Sequence, residues 1–189
     1  MFLEGFLSEL GSRCLIEESE ETGLKDIELR LISELVKNSR RSDRELAKAL
    51  GVSQPTVSRI RVRLEKQGFI DYSAIPDMAK LGFEIIAVTF GKRNYQKHPE
   101  INLQKAEDFA ERHPEVIFGA SGIGLGYDRM SISIHRSYSD YSKFSQEMRN
   151  EWTGIMDTQS FIINLKSKDI VRLLSLKHLA EHLRNEKES

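Results

Sequence analysis

The sequence predicts an α+β fold in two parts, a bundle of short helices followed by a β-α-β-β-α-β unit. Up to Gly68 the apolar residues recur at helical spacing, three or four positions apart. Beyond Gly68 the period changes, and short apolar or alternating runs typical of strands follow one another with helical segments between them. The chain has 189 residues, which suffices for two small domains, and 39% of them are hydrophobic, so a sizeable core can be buried.

These changes of pattern divide the chain into five segments. The boundary between the two domains is placed at residues 76–82, where a proline and a glycine bracket a short helical turn. We expect an N-terminal extension with a short helix (1–23), a helical domain (24–76), a hinge (77–82), a sheet domain (83–168) and a C-terminal amphipathic helix (169–189).

The stretch from Ser42 to Gly68 predicts two helices joined by a tight turn. Ser42 and Glu45 have the spacing of a capping box at the start of the first helix. Gly51 ends that helix, since glycine adopts the left-handed conformation without steric cost. Ser53 then caps the second helix, whose buried stripe is predicted to contain Val57, Ile60 and Leu64. Two helices that cross over such a short glycine corner are typical of a DNA-binding helix-turn-helix.

Neighbouring segments complete this first domain. Leu24 to Asn38 is predicted to be a helix that closes the third side of the small core. Phe69 to Pro76 is predicted to be a strand, and Asp77 to Gly82 a helical turn closed by glycine.

The outer face of the second helix suits the major groove of DNA. Arginine reads guanine, glutamine reads adenine, and valine meets the thymine methyl group. Many helix pairs with a glycine corner are ordinary bundle hairpins with solvated arginines, but here the caps, the corner and the basic face agree. Arg40, Arg41 and Arg44 are expected to contact phosphates. The residues predicted to lie in the groove are Ser53, Gln54, Thr56, Ser58, Arg59 and Arg63.

The distribution of charge favours the same interpretation, although the whole chain has a formal net charge of −1. Residues 40–66 contain eight basic and three acidic side chains, a local charge of +5. Residues 1–30 contain three basic and eight acidic side chains, a local charge of −5. A basic patch on a nearly neutral chain is the electrostatic footprint of a DNA-binding module attached to another domain.

The N-terminal residues and the single cysteine predict a cytoplasmic protein. The apolar start of the chain includes Glu4 and Glu9, and it lacks the basic leader and small-residue cleavage site of a signal peptide. No apolar run approaches the length of a membrane span. Cys14 cannot form an internal disulfide, which fits a reducing compartment.

The second domain is predicted to have the element order of a ferredoxin-like unit. The strand Phe83–Gly91 is almost continuously apolar, which is typical of a strand covered on both faces. Helices can cover only one face of a four-stranded sheet, so a partner chain is expected on the other. The remaining predicted elements are a helix (102–113), two strands (116–120 and 127–135), a second helix (139–152) and a last strand (160–165).

Two constellations in the second half could carry chemistry. The glycines of Gly122-Ile-Gly-Leu-Gly126 lie between two strands, so they do not fit a dinucleotide-binding loop, which must open a helix. A hairpin exposed to a small ligand fits better, with Asp128 able to bind an amino group; a plain turn and a solvated aspartate are the open alternative. His178 and His182 lie one turn apart without a third ligand in view, so no metal site, cofactor site or catalytic nucleophile is predicted.

The chain resembles a known family in four stretches and two shorter motifs. These are Leu24–Ile32, Leu46–Ser53, Val57–Arg63, Leu64–Ile70, Lys80-Leu-Gly82 and Gly126-Tyr-Asp128. On these residues the chain resembles the Lrp/AsnC (leucine-responsive/feast-famine) transcription regulators from about Leu24 to Leu165. It departs from them in having Glu28 where aspartate is usual, in its two terminal extensions, and in a longer loop at 94–100.

The resemblance implies a winged helix-turn-helix domain that binds double-stranded DNA and a ferredoxin-like regulatory domain. It implies pairing through the sheets into a homodimer, and assembly of dimers into octamers in many members. It also implies that an amino acid or related metabolite binds at interfaces between regulatory domains. The effector-binding residues expected on this basis are Ser121, Gly122, Gly124, Gly126, Tyr127 and Asp128.

The sequence therefore predicts a dimer-based, DNA-binding transcription regulator modulated by a small molecule. The sirohaem decarboxylases, which are similar in architecture, give a rival enzyme hypothesis, with His135 and Arg136 as the nearest candidate pair. The intact basic helix speaks against it, since an enzyme has no use for that face. A third hypothesis is a metabolite sensor whose helix-turn-helix no longer binds DNA.

Overall fold

The computed structural model describes residues 23–95 and 103–185, whose contacts divide the chain into two compact units. Of the described residues, the first unit comprises 23–74 together with 174–185, and the second comprises those between Ile75 and Leu173. The predicted N-terminal helix, Cys14 and most of the 94–100 loop lie outside the described residues.

Three helices form the core of the first unit, as the sequence predicts. They are α1 (Asp26–Lys37), α2 (Asp43–Leu50) and α3 (Gln54–Lys66). Side chains from all three helices meet in one cluster, and four of them are fully buried: Leu31, Leu46, Val57 and Leu64. Burying each such side chain stabilises the fold by roughly 1.5–3 kcal/mol.

The predicted strand at Phe69–Pro76 is wrong, because the backbone there pairs with no other strand. A strand requires a neighbour that accepts and donates its ladder hydrogen bonds, and the described part of the first unit contains no strand at all. Phe69 and Tyr72 therefore remain exposed. The turn that follows is confirmed: Leu81 N–H donates to the Asp77 carbonyl at 3.1 Å, and Gly82 ends the turn with a φ of 85°.

The second unit confirms the predicted β-α-β-β-α-β order. Its four strands form one antiparallel sheet in the order β2-β3-β1-β4. The elements are β1 (Ile85–Arg93), α4 (Leu103–Arg112), β2 (Val116–Gly124), β3 (Tyr127–His135), α5 (Tyr138–Trp152) and β4 (Met156–Asn164). β4 begins four residues before the predicted start, because its polar first residues pair with the end of β1, as in Lys92 with Asp157.

The two faces of this sheet differ in what covers them. α5 packs on one face, and there Ile85, Ala87 and Thr89 of β1 are buried. The side chains between them along β1 are only half-buried. On this second face, the open face, one row runs in register across all four strands: Phe118, Ile132, Val88 and Phe161. At the sheet edges Phe118 is 48% exposed and Phe161 is 66% exposed.

The predicted C-terminal helix at 169–189 is also wrong over most of its described length. Only a 3₁₀ turn (Leu176–Leu179) and the short helix α6 (His182–Asn185) form there. Ser175 accepts a hydrogen bond from Lys177 N–H, so it begins a new element instead of continuing a helix. The segment packs against α1, where Ser33 Oγ donates to the buried Ala180 carbonyl at 2.6 Å.

Candidate functional site

α3 begins at a serine cap, as predicted. Ser53 Oγ accepts the Thr56 N–H at 3.3 Å and lies 2.8 Å from Thr56 Oγ1. Pro55 occupies the first turn, where the missing N–H costs nothing. The two hydroxyls are therefore engaged in the cap, while the stripe of Val57, Ile60 and Leu64 holds α3 against the core.

The corner that orients α3 also matches the prediction. Ser42 Oγ accepts the Glu45 N–H at 3.3 Å, and Glu45 Oε2 accepts the Ser42 N–H at 2.8 Å. The hydrogen bonds from the Ser42 side chain and backbone hold the pKa of Glu45 below its usual range. Gly51 ends α2 at a φ of 70°, which is the left-handed conformation that favours glycine. The capping box and the glycine corner are confirmed.

Two arginines of the basic patch brace the helix pair from within. The Arg41 guanidinium pairs with Glu34 and donates to the Glu45 carbonyl at 3.3 Å. Arg61 reaches from α3 to α2, where its Nη1 lies 3.1 Å from Asp43 Oδ1. A second donor of Arg61 bonds to the Arg41 carbonyl at 3.1 Å. These contacts fix α2 against α3.

Arg63, predicted to lie in the groove, forms an ion pair with Glu28 of α1. The Glu28 side chain is only 3% exposed, whereas that of Arg63 is 45% exposed. The second Glu28 oxygen accepts the Lys25 N–H at 2.7 Å, at the start of α1. Helical spacing within α3 could not reveal this partner on another helix; the one signal was glutamate at a position where the family usually has aspartate.

The remaining basic side chains of the patch face solvent. Arg40, Arg44 and Arg59 are exposed and form no ion pair with any described residue. Arg59 lies on the outer face of α3 with the exposed Gln54 and the half-buried Ser58. The predicted DNA-binding residues thus all lie in the first unit, on α3, on α2 and on the loop before α2. Some of the arginines among them form ion pairs within that unit, and others do not.

The glycine-rich stretch is mostly strand, whereas the sequence predicts a hairpin turn between the strands 116–120 and 127–135. β2 continues to Gly124, which pairs with Tyr127, so the hairpin turn consists of Leu125 and Gly126 alone. Their φ angles are 53° and 76°, and both are positive as a tight hairpin turn requires. A leucine in this conformation costs about 1 kcal/mol. The predicted effector residues Ser121, Gly122, Gly124 and Gly126 are exposed, and Tyr127 is half-buried.

Asp128 is buried, so it is not the solvated aspartate of the alternative interpretation. Its Oδ1 accepts the Arg93 backbone N–H at 3.2 Å, and its Oδ2 accepts the Tyr95 O–H at 2.6 Å. Burial, and then the bond to Asp128, raise the pKa of Tyr95. Both carboxylate oxygens are therefore occupied by groups at the end of β1 and just beyond it.

The residues of the enzyme hypothesis do not converge. His135 is buried, its Nε2 lies 2.8 Å from Ser133 Oγ, and burial lowers its pKa. Arg136 instead donates to the Leu81 carbonyl at 3.1 Å and stacks over the Phe83 ring. No group of three or more metal-ligating side chains occurs in residues 23–95 or 103–185, a range that includes both histidines near the C-terminus.

Comparisons with known proteins decide the family. A family profile described as winged helix-turn-helix DNA-binding matches residues 24–71. An uncharacterised HTH-type transcriptional regulator of Pyrococcus furiosus is 30% identical over 122 residues, 64% of this chain and 78% of that protein. The leucine-responsive regulatory protein of Escherichia coli K12 is 29% identical over 158 residues, 80% of this chain and 91% of that protein. The chain belongs to the Lrp/AsnC family.

A solved structure shares the fold of this Lrp/AsnC protein. It is a transcriptional regulator of Neisseria meningitidis in complex with L-Met. The two structures superpose with a TM-score of 0.67 at 19% identity, and the match covers 82% of this chain and 99% of the Neisseria chain. As a member of the family to which these sequence relatives belong, the chain is a DNA-binding transcription regulator. The relatives are regulators, so the enzyme hypothesis is wrong. Within the described residues, no helix combines the length and apolarity that crossing a bilayer demands.

Proposed function

We propose that this Lrp/AsnC regulator acts in the cytoplasm as a homodimer that binds two DNA half-sites, and that a small metabolite adjusts its affinity. Each dimer would present two copies of α3, related by its two-fold axis, to major grooves on one side of the duplex. The observation that carries the proposal is the exposed outer face of α3, on which Arg59 forms no ion pair with any described residue.

The side chains of the helix pair would have different roles in binding DNA. Arg59 is the principal base reader, with Gln54 and Ser58 beside it. Arg40 and Arg44 contact phosphates and add affinity that falls with salt. Ser53 and Thr56 act at the N-terminus of α3, where backbone N–H groups attract a phosphate. Arg41 and Arg63 contact DNA only with the guanidinium N–H groups that do not pair with Glu34 and Glu28.

The open face of the sheet supports the homodimer. Phe118, Val88, Ile132 and Phe161 form an apolar row across all four strands. A contiguous exposed apolar patch marks a contact with another protein surface. A second copy of the chain is the proposed occupant, since a two-fold axis can pair this face with itself. Assembly of such dimers into octamers is a further part of the proposal.

An amino acid or a related metabolite is the proposed effector. The L-Met complex of the Neisseria meningitidis regulator supports this chemical class. The exposed backbone of Ser121, Gly122, Gly124 and Gly126, with Tyr127 beside it, offers N–H and carbonyl groups to such a ligand. Asp128 would support the site by holding Tyr95 and the end of β1.

Replacing Arg59 with alanine tests the proposed reader. The DNA is a genomic fragment selected by binding, and fluorescence anisotropy measures its affinity at fixed salt. We expect Arg59→Ala to weaken binding to the selected fragment by about 1–3 kcal/mol, with a smaller effect on unselected DNA. Arg149→Ala, an exposed arginine of α5, is the matched control. Equal affinities of Arg59→Ala and the unaltered protein for the selected fragment would rule out Arg59 as the reader.

A further inference from the structure

One row of residues across the sheet face beneath the helices is polar. In register across β2, β3, β1 and β4 it carries Gly119, Ser131, Thr89 and Ser160. Thr89 Oγ1 and Ser160 Oγ lie 2.9 Å apart, so these hydroxyls partner each other. A face covered by helices ordinarily carries large apolar side chains that fill the space. Small polar residues leave that space open here.

A cavity of about 310 Å³ occupies the space between this face of the sheet and the helices α4 and α5. Its sheet side includes Arg129, Ser131 and Thr158, and its helix side includes Phe109, Met148 and Trp152. Apolar walls with a few convergent polar groups are the common composition of small-molecule sites. The two sides together suit a ligand with one charged end and one apolar end.

Three charged side chains line the cavity, Arg93, Glu107 and Arg129, and Arg129 is the one we assign to the carboxylate. Gly91 of β1 and Ser121 of β2 lie opposite it, and the Met156 side chain crosses over Gly91. Arg129 Nη1 donates to the Asp128 carbonyl at 2.8 Å, which fixes the guanidinium in place. A guanidinium carries five N–H donors, so this one bond leaves donors for a bidentate carboxylate.

Gly91 keeps one wall of the cavity adjustable. A Cβ built on Gly91 would lie 2.4 Å from Met156 Sδ, so glycine is what lets the Met156 side chain cross the strand there. Methionine has three rotatable side-chain bonds and fills irregular spaces readily. Met156 also lines the cavity, so it can repack around a ligand without moving the backbone.

We propose that this cavity binds a small carboxylic acid with an apolar tail. The carboxylate lies on Arg129, and the tail lies among Phe109, Met148 and Trp152. The named lining residues lie between the sheet and the helices of a single regulatory domain, so we place this site apart from an effector site between regulatory domains. The proposal goes beyond the proposed function, and it holds whether or not occupancy of the cavity alters DNA binding.

Trp152 makes binding directly observable, since it is the single tryptophan of the chain and lines the cavity. The full-length protein is titrated with 4-methylpentanoate while tryptophan emission is recorded, and the neutral 4-methylpentanamide is the charge control. We expect a saturable change in emission with the acid. The amide should bind at least about tenfold more weakly, because it cannot form a charge-assisted bidentate bond.

Three variants assign that signal to the cavity. Arg129→Gln should weaken binding of the acid about tenfold and leave binding of the amide unchanged. Ala110→Leu extends the α4 wall into the cavity and should abolish binding of both compounds. Arg149→Gln, an exposed arginine of α5 outside the cavity, should change neither. Thermal melts check that each variant folds. If Ala110→Leu does not fold, the comparison of Arg129→Gln with Arg149→Gln still tests the proposal.

Several results would overturn the proposal. They are the absence of a saturable emission change with the acid, equal binding of acid and amide, and equal behaviour of Arg129→Gln and Arg149→Gln. Retained binding in a folded Ala110→Leu variant would place the ligand elsewhere. The Arg59 experiment concerns α3 and uses a DNA readout, so the failure of one test leaves the other standing.

Discussion

At the scale of single residues, Glu28 and Arg63 connect the stability of the first unit to its proposed DNA-binding face. The Glu28 carboxylate is almost completely buried, and its described partners are the Arg63 guanidinium and the Lys25 N–H. Removing one partner of a buried ion pair leaves an uncompensated charge, which costs about 3–5 kcal/mol in well-buried cases. Arg63 is nearly half exposed, and solvent screening reduces that figure here.

We expect Arg63→Ala to lower the free energy of unfolding by about 1–3 kcal/mol, because the buried Glu28 carboxylate loses its counter-charge. Urea unfolding followed by circular dichroism measures the change. Arg59→Ala is the matched control, since an exposed arginine without an ion pair should shift stability by no more than about 0.5 kcal/mol. In a Glu28→Gln background the effect of Arg63→Ala should largely disappear. An equally large effect in that background would contradict the assigned role of the pair.

The same residues show how far a sequence predicts a site. Ser42, Glu45 and Gly51 act within one or two helical turns, so spacing alone predicted their contacts. Asp128 and Tyr95 are 33 positions apart, and Glu28 meets Arg63 across two helices. Spacing along one element cannot predict which distant side chain will neutralise a buried charge.

At the scale of elements, the availability of a partner decided which segments became strands. The polar start of β4 is a strand because the end of β1 offers it an edge, as in the pairing of Lys92 with Asp157. Phe69–Pro76 has the more strand-like sequence, yet it has no strand to pair with among the described residues. Local propensity is a weak prior that tertiary context overrides.

The segment after Leu173 follows the same principle. Its apolar spacing resembles a helix, but docking against α1 satisfies Ser33 and buries Ala180. Ser33 lies in the interior of α1 and is fully buried, so without this segment it would be a polar group on an apolar helix face. The segment is therefore a structural part of the helix-turn-helix unit.

Deleting residues 174–189 should lower the melting temperature of the first unit, because Ser33 and its surroundings lose their cover. Ser33→Ala in the full chain should cost about 1–3 kcal/mol, since the Ala180 carbonyl would be left unsatisfied. The same change in the shortened chain should cost nothing, because the acceptor is already gone. Ser39→Ala, at an exposed loop position, is the control. Additive effects of the deletion and Ser33→Ala would refute this coupling.

At the scale of the whole molecule, one row of residues on each face of the sheet reverses the usual arrangement. The face covered by helices carries Gly119, Ser131, Thr89 and Ser160, whereas the open face carries Phe118, Ile132, Val88 and Phe161. The apolar sequence of β1 predicted that both faces of the sheet would be covered by other parts of the protein or by a partner chain. The polar row beneath the helices could not be foreseen, because single serines and threonines are equally compatible with a solvated face.

Phe161→Asp tests whether the open face is the surface that pairs two copies. In a two-fold interface each substitution is present twice, and each buried, unpaired carboxylate costs about 2 kcal/mol or more. The dissociation constant of the dimer should then rise on the order of a thousandfold. Sedimentation equilibrium measures it. Val171→Asp, an equally drastic change at a fully exposed position of the same unit, should leave the dimer intact.

In the proposed dimer, two copies of α3 would bind a pair of half-sites far more tightly than one copy binds a single half-site, through effective concentration. Phe161→Asp should therefore weaken binding to a two-site fragment much more than binding to an isolated half-site. A chain lacking residues 1–22 should still dimerise, if a second sheet and not the N-terminal extension covers the open face. A Phe161→Asp protein that remains dimeric, or an unaltered protein that is monomeric at micromolar concentration, would refute pairing through this face.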